Sequence, residues 1–248
     1  MKKIAMVTGA SSGIGEACAR KLHECGYRVI ITGRDASRLA TLAAELGADG
    51  YVLAYDVRDK EACAKALDSL PEEWREIDVL VNNAGLALGL EPEFEGDWAD
   101  WDGMIDTNIK GLLAMTRLIV PGMIERGRGH IVNIGSVAGD AAYANGAVYC
   151  ATKAAVKTLT DGLRIDLVKT PVRVTLLKPG LVETNFSRVR FHGDKERAEN
   201  VYKGIVPLTA DDIADACAYA VNAPAHVQIA EMLILATHQA NGSTIWRQ

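Results

Sequence analysis

The stretch IAMVTGASSGIGEACARKLHECG, residues 4–26, decides the fold. Its first four residues are apolar without a polar alternation, as in a strand covered on both faces. Glycines follow at 9, 13 and 15, and then a helical pattern of small, apolar and charged residues. Strand, glycine turn and helix together make the opening half of a βαβ unit. Working outward, short apolar runs recur at 28–32, 50–55, 78–82, 130–135, 172–178 and 228–235. Amphipathic stretches lie between them, among them 37–46, 60–70 and 211–221, the last with Asp211 as a candidate cap. This alternation predicts an α/β protein with a doubly wound parallel sheet of about seven strands and helices on both faces. No linker or repeat interrupts it, so 1–248 reads as one domain. The exception is 183–204, polar, charged and without a strand, which we read as a mobile lid over a substrate.

In such a sheet ligands bind beyond the carboxyl ends of the strands, and TGASSGIG (8–15) is the first such end. Gly9, Gly13 and Gly15 lack Cβ atoms where backbone approaches a phosphate and where helix meets strand. Backbone N–H groups around Ser11, Ser12 and Ile14, at a helix N-terminus, suit a pyrophosphate. The spacing is GxxxGxG and not the general GxGxxG. Strand two ends in TGR, where an acid would bind the ribose hydroxyls of NAD and an arginine the 2′-phosphate of NADP. Arg34 and Arg38 therefore favour NADP, although Asp35 could pair with Arg38 and weaken the clamp.

Several function classes drop out. The formal net charge is −5 with acids and bases interspersed, which excludes a basic nucleic-acid-binding stripe. The five cysteines are odd in number and form no CxxC, and no HExxH occurs, so neither a disulfide framework nor a metal site is expected. No apolar run reaches the roughly 20 residues of a membrane span, and the cytoplasm is the default compartment. Ser136 is not a hydrolase nucleophile, because Ile134 and Ala138 stand where a nucleophile elbow needs glycines. VYCATK (148–153) puts Tyr149 and Lys153 one helical turn apart, a spacing that by itself is common on any helix.

TGASSGIG, NNAG at 82–85, Asn108, Ser136, YCATK and PGLVET at 179–184 stand in order along the chain. Together they resemble the short-chain dehydrogenase/reductase family from end to end. The resemblance implies a Rossmann-like fold and a role for each position. Tyr149 would be the acid/base, Lys153 its activator, Ser136 the hydroxyl that holds the carbonyl, and Asn108 the post of a proton-relay water. Asn83, followed by Gly85, would be a ribose or backbone anchor, and Asp56 and Val57 adenine contacts. Pro179 and Gly180 would lie along the nicotinamide, with Val182 and Thr184 on its carboxamide; Tyr149 and Lys153 also count among the cofactor contacts. The chemistry fits the residue types. A phenol of pKa about 10 is a poor base near neutrality, and a neighbouring ammonium would lower that value.

NNAGLALGLEP, WADWDGMIDTN and PGLVETNFSRVRFHGD are more narrowly similar to bacterial NADP-dependent members that act on small 3-hydroxy acids. These interconvert malonic semialdehyde and 3-hydroxypropionate, or oxidise serine and allo-threonine. Similar sequences reduce sulfoacetaldehyde to isethionate, and a catalytically retired NADP-binding regulator is the alternative of another class. An anionic substrate calls for a cation, with Arg190 the first candidate and Arg188 and Arg247 behind it. The resemblance also implies a homotetramer built on the helices that hold Asn108 and Tyr149, with GLLAMTRLIV (111–120) and Trp246 at contacts.

Overall fold

A computed structural model describes residues 2–248. The strands are β1 (Ile4–Val7), β2 (Arg28–Gly33), β3 (Gly50–Ala54), β4 (Ile77–Asn82), β5 (His130–Ile134), β6 (Arg173–Pro179) and β7 (Glu231–Ile234). They form one sheet in the order β3-β2-β1-β4-β5-β6-β7, every pair parallel. The helices are α1 (Gly13–Glu24), α2 (Ala36–Leu46), α3 (Lys60–Asp68), α4 (Trp98–Ile105), α5 (Leu112–Glu125), α6 (Ala147–Asp166), α7 (Phe186–Arg190), α8 (Lys195–Asn200) and α9 (Ala210–Asn222). β1 shows why the strands lack polar alternation. Its Ala5 and Val7 pack with Leu22 of α1, Leu39 of α2 and Cys217 of α9, whereas Ile4 and Met6 join Cys63 of α3 and Met115 and Met123 of α5. Alternate residues serve two cores, so both must be apolar.

The chain steps outward from β1 to β3 and then returns to build β4 on β1's other side. The crevice at that reversal is where an open α/β sheet takes its ligand.

Two expectations need correction. β7 is shorter than 228–235, because the Gln228 side chain, and not a strand carbonyl, accepts from Val174 N (3.0 Å). It is the sheet's edge, with Glu231 and Leu233 exposed. The cap of α9 is Thr209, whose hydroxyl and backbone N–H exchange hydrogen bonds with Asp212 in a capping box; Asp211 lies inside the first turn. The 183–204 segment, read as lacking a strand, is built on the short helices α7 and α8.

Candidate active site

The carboxyl ends of β1, β4, β5 and β6 open into a cavity of about 460 Å³. It brings together Gly9, Ser12, Gly13, Ile14, Asn83, Gly85, Ser136, Tyr149, Lys153, Pro179, Gly180, Val182, Thr184 and Arg190 from the sequence reading. Ser11, Gly15, Arg34, Arg38, Asp56, Val57 and Asn108 lie outside its lining.

The turn after β1 is shaped for close approach. Gly9 has φ +66°, and a Cβ there would stand 2.9 Å from the Ala84 Cα. A Cβ on Gly15 would stand 2.3 Å from Asn83 Nδ2, so Gly15 serves packing of helix against turn. Asn83 is a backbone anchor, since its Nδ2 donates to the carbonyls of Thr8 (2.8 Å) and Gly9 (3.1 Å). Ser12 heads α1 in an extended conformation, and its side chain caps no helix N–H. Free amides, a free hydroxyl and the positive end of the helix dipole therefore face the cavity. These are the groups a pyrophosphate requires.

At the end of β2, Gly33 borders Ser11 and Leu39, the Ser11 Oγ standing 3.5 Å from where a Cβ of Gly33 would be. Arg34 is exposed and makes no side-chain ion pair among the described residues, whereas Arg38 pairs with Asp35 (3.4 Å). Asp35 also caps α2 by accepting from Arg38 N (3.1 Å). Asp56 is held by Arg58, which keeps its carboxyl below the usual range against the opposing effect of burial. Val57 packs under Gly111.

α6 carries Tyr149 and Lys153 on one buried face. Lys153 Nζ donates to Ile134 O (2.9 Å), and burial lowers its pKa to about 8. The absent side chain of Gly85 leaves room beside that ammonium. The Tyr149 ring lies 5.7 Å from Phe186, edge to face. Burial pushes the phenol well above its ordinary pKa and Tyr143 adds to the rise, while the nearby Ser136 hydroxyl and the charge of Arg190 oppose it. The Lys153 ammonium stands 5.9 Å from the Tyr149 ring centroid while it donates to the Ile134 carbonyl. Ser136, extended after β5, accepts from Ala138 N (3.1 Å).

Asn108 sits in a π-helical turn, Asp106–Gly111, between α4 and α5. Its side chain accepts from Leu86 N (2.8 Å) and donates to Leu86 O (2.8 Å) and Thr152 Oγ1 (3.0 Å). Both amide protons are spent, so the side chain ties the 84–86 turn to the Tyr149 helix. Single π-turns of this kind frequently mark functional sites.

Arg190 reaches the cavity from α7. Its Nε donates to Gly89 O (3.1 Å) and its Nη1 to Tyr143 Oη (2.9 Å), and the guanidinium lies 5.7 Å from the Tyr149 ring centroid. Its Nη2 makes no hydrogen bond among the described residues. Arg188 is exposed away from the lining, and Arg247 lines the cavity but spends its guanidinium on the carbonyls of Val201 and Lys203. Sequence reasoning missed Tyr143, Phe186 and Gln239. Gln239 accepts from Leu181 N (2.8 Å) and so holds the turn after Pro179, but nothing in the spacing of a lone glutamine in the C-terminal segment points there.

Residues 3–195 match the family model of the short chain dehydrogenases. The chain is 53% identical over 227 residues to an NADP-dependent 3-hydroxy acid dehydrogenase of Salmonella typhi, covering 91% of this chain and 92% of that protein. It is 44% identical over 244 residues to a serine 3-dehydrogenase of Rhizobium radiobacter, covering 98% of each. Among solved structures, the closed form of a serine dehydrogenase complexed with NADP+ superposes with a TM-score of 0.95 at 49% identity, over 99% of this chain and 100% of that one. With the glycine turn, the Ser136/Tyr149/Lys153 cluster and these likenesses in agreement, this chain belongs to the short-chain dehydrogenase family.

Proposed function

We propose that the protein is an NADP(H)-dependent oxidoreductase that moves hydride between the nicotinamide and a small anionic 3-hydroxy acid or its aldehyde. One observation carries the substrate class: a guanidinium with an unused edge, Arg190, is fixed beside the Tyr149 ring inside the cavity. Guanidinium matches a carboxylate bidentately. The names of the relatives, 3-hydroxy acid and serine dehydrogenases, support the same class.

The α1 N-terminus with Ser12 would hold the pyrophosphate, and Arg34, with Ser11 beside it, the 2′-phosphate. Lys153, with two ammonium protons beyond the one given to Ile134 O, would hold ribose hydroxyls, and the Thr184 hydroxyl the carboxamide. The bound cofactor supplies the hydride or accepts it. In the reducing direction, Ser136 donates a hydrogen bond to the carbonyl oxygen and Tyr149, neutral in this environment, delivers the proton to the alkoxide. Arg190 fixes the far end of the substrate.

We also infer a homo-oligomer, a tetramer on the family pattern. The outer faces of α5 and α6 expose Leu113, Leu118, Ile124 and Ile165, an apolar surface a monomer would leave wet. Light scattering that returns a monomer removes this inference. No described helix is long and apolar enough to cross a membrane. The five cysteines are all free, which suits the reducing cytoplasm.

NADPH consumption with malonic semialdehyde, sulfoacetaldehyde and uncharged propanal tests the assignment. Preference for an anion supports it, and the better anion separates carboxylate from sulfonate. Propanal reduced as well as both acids refutes the substrate class. Tyr149→Phe should retain NADPH binding and lose turnover by about 10²–10⁴-fold; a regulator without turnover would show no activity to lose.

A further inference from the structure

The segment that carries Arg190 is fastened to the distant 88–100 stretch. Gly89 N donates to Arg190 O (3.0 Å) while Arg190 Nε donates back to Gly89 O (3.1 Å), a reciprocal pair. Gly89 stands at φ +69°, and a Cβ there would collide with the Glu91 carboxylate and lie 3.2 Å from Asp100 Oδ2. That same Asp100 oxygen meets His192 Nε2 at 3.0 Å. Asp100 is largely buried on α4, with a side-chain exposure of 15%, whereas His192 is mostly exposed at 62%. His192 itself holds a left-handed backbone at φ +50°, a conformation a non-glycine residue keeps only where its contacts fix it. Arg197 adds a longer contact to Glu91 (3.8 Å).

We propose that Asp100 is a positioning residue for substrate specificity: by gripping His192 beside the Gly89–Arg190 pair, it sets the guanidinium over Tyr149 and so selects anionic substrates. Asp100 touches neither substrate nor cofactor and lines no part of the main cavity. Its effect runs through one chain of contacts, from Asp100 to His192, along two residues of backbone to Arg190, and from Arg190 to Gly89 and Tyr143. This rests on the reading of Arg190 as the anion site.

The test compares Asp100→Ala, Asp100→Asn and Arg190→Met with malonic semialdehyde and propanal, alongside NADPH affinity by fluorescence. Asp100→Ala should raise KM for the anion by about tenfold, the loss of one well-placed hydrogen bond. Its kcat should change less than twofold, and neither propanal turnover nor NADPH affinity should move. Asp100→Asn keeps an acceptor for the His192 N–H and should restore most of the loss. An unchanged anion KM in Asp100→Ala overturns the proposal, as does an equal loss with propanal or no rescue by asparagine. If Arg190→Met treats anion and propanal alike, the anion site itself is misassigned and the proposal falls with it. That outcome is distinct from Arg190→Met discriminating while Asp100→Ala does not.

Discussion

Lys153→Met should make the protein more stable near neutrality while it abolishes turnover. Burial lowers the Lys153 pKa from 10.5 to about 8. At 1.36 kcal/mol per unit that gap is worth about 3 kcal/mol. The sign follows from proton counts. Between pH 8 and 10.5 the unfolded chain keeps a proton on this lysine that the folded chain has shed, so stability rises with pH across that window. Below pH 8 the buried ammonium is present and its full cost weighs on the fold. Methionine, unbranched and of similar length, removes the charge but leaves Ile134 O without its donor, at about 1–2 kcal/mol. The net gain at pH 7 is about 1–2 kcal/mol, or a few degrees in Tm for a chain of this size. Urea unfolding of both proteins at pH 7 and pH 10, at one fixed concentration, reads the difference. The variant's advantage should shrink by about 2–3 kcal/mol at the higher pH and change sign. A difference that does not vary with pH refutes the reasoning, because the lysine would then carry the same charge in both states.

Arg34→Ala should weaken NADPH binding by about 10–100-fold, one charge-assisted contact, and leave NADH unaffected. Arg38→Ala should do less, since Asp35 already neutralises that side chain; fluorescence titration with both cofactors checks the pair. His130 predicts an acid-labile fold. Thr175 spends its proton on Ile229 O, so His130 Nε2 must donate to Thr175 Oγ1 and leave Nδ1 bare among buried atoms. Burial, with the Arg173 charge, lowers its pKa to about 3. The unfolded imidazole binds its proton at about pH 6.5, so stability falls from there downward, by about 2 kcal/mol at pH 5. Denaturant midpoints at pH 7 and 5 should converge in His130→Gln, and equal slopes for both proteins would dismiss the effect.

The sheet was legible because its inner strands serve two cores and so show apolar runs without alternation, as Ile4, Ala5, Met6 and Val7 do. β7 was the weakest reading. Its edge position makes Glu231 and Leu233 face solvent, and a side chain, Gln228, takes over one ladder bond. The motif residues of the site were legible as motifs, but their partners were not. Nothing in YCATK says that Lys153 meets Ile134 O, or that Asn108 spends its amide on Leu86, because those partners stand 19 and 22 residues away. The helices within 183–204 were not legible because α7 and α8 span only 5 and 6 residues, too short to show an apolar period.

Helix capping differs between scaffold and site in this chain. Asp35, Asp59, Asp97, Asp194 and Thr209 each cap a helix through a side-chain hydrogen bond, and α2, α3, α4, α8 and α9 lie away from the cavity lining. The helices begun by Ser12, Gly111 and Gly146 have no such bond, whereas at α7 the Thr184 hydroxyl accepts from Phe186 N (3.2 Å). Of the uncapped three, α1 and α6 carry Gly13 and Tyr149 and line the cavity, and α5 runs on from the π-helical turn that holds Asn108. A side-chain cap is worth about 1 kcal/mol, so its absence at these three starts forgoes stability that the others take. At α1 the reason is direct, since a capping oxygen would occupy the amides an incoming phosphate needs. The left-handed Gly9, the buried Lys153 and the π-turn at Asn108 fall at or beside the same cavity. These local rules are broken where a ligand would restore them, which is the pattern expected of a binding site. Adding NADP+ should therefore raise Tm by more than its contact area alone suggests, since the bound phosphate satisfies donors the free protein leaves open.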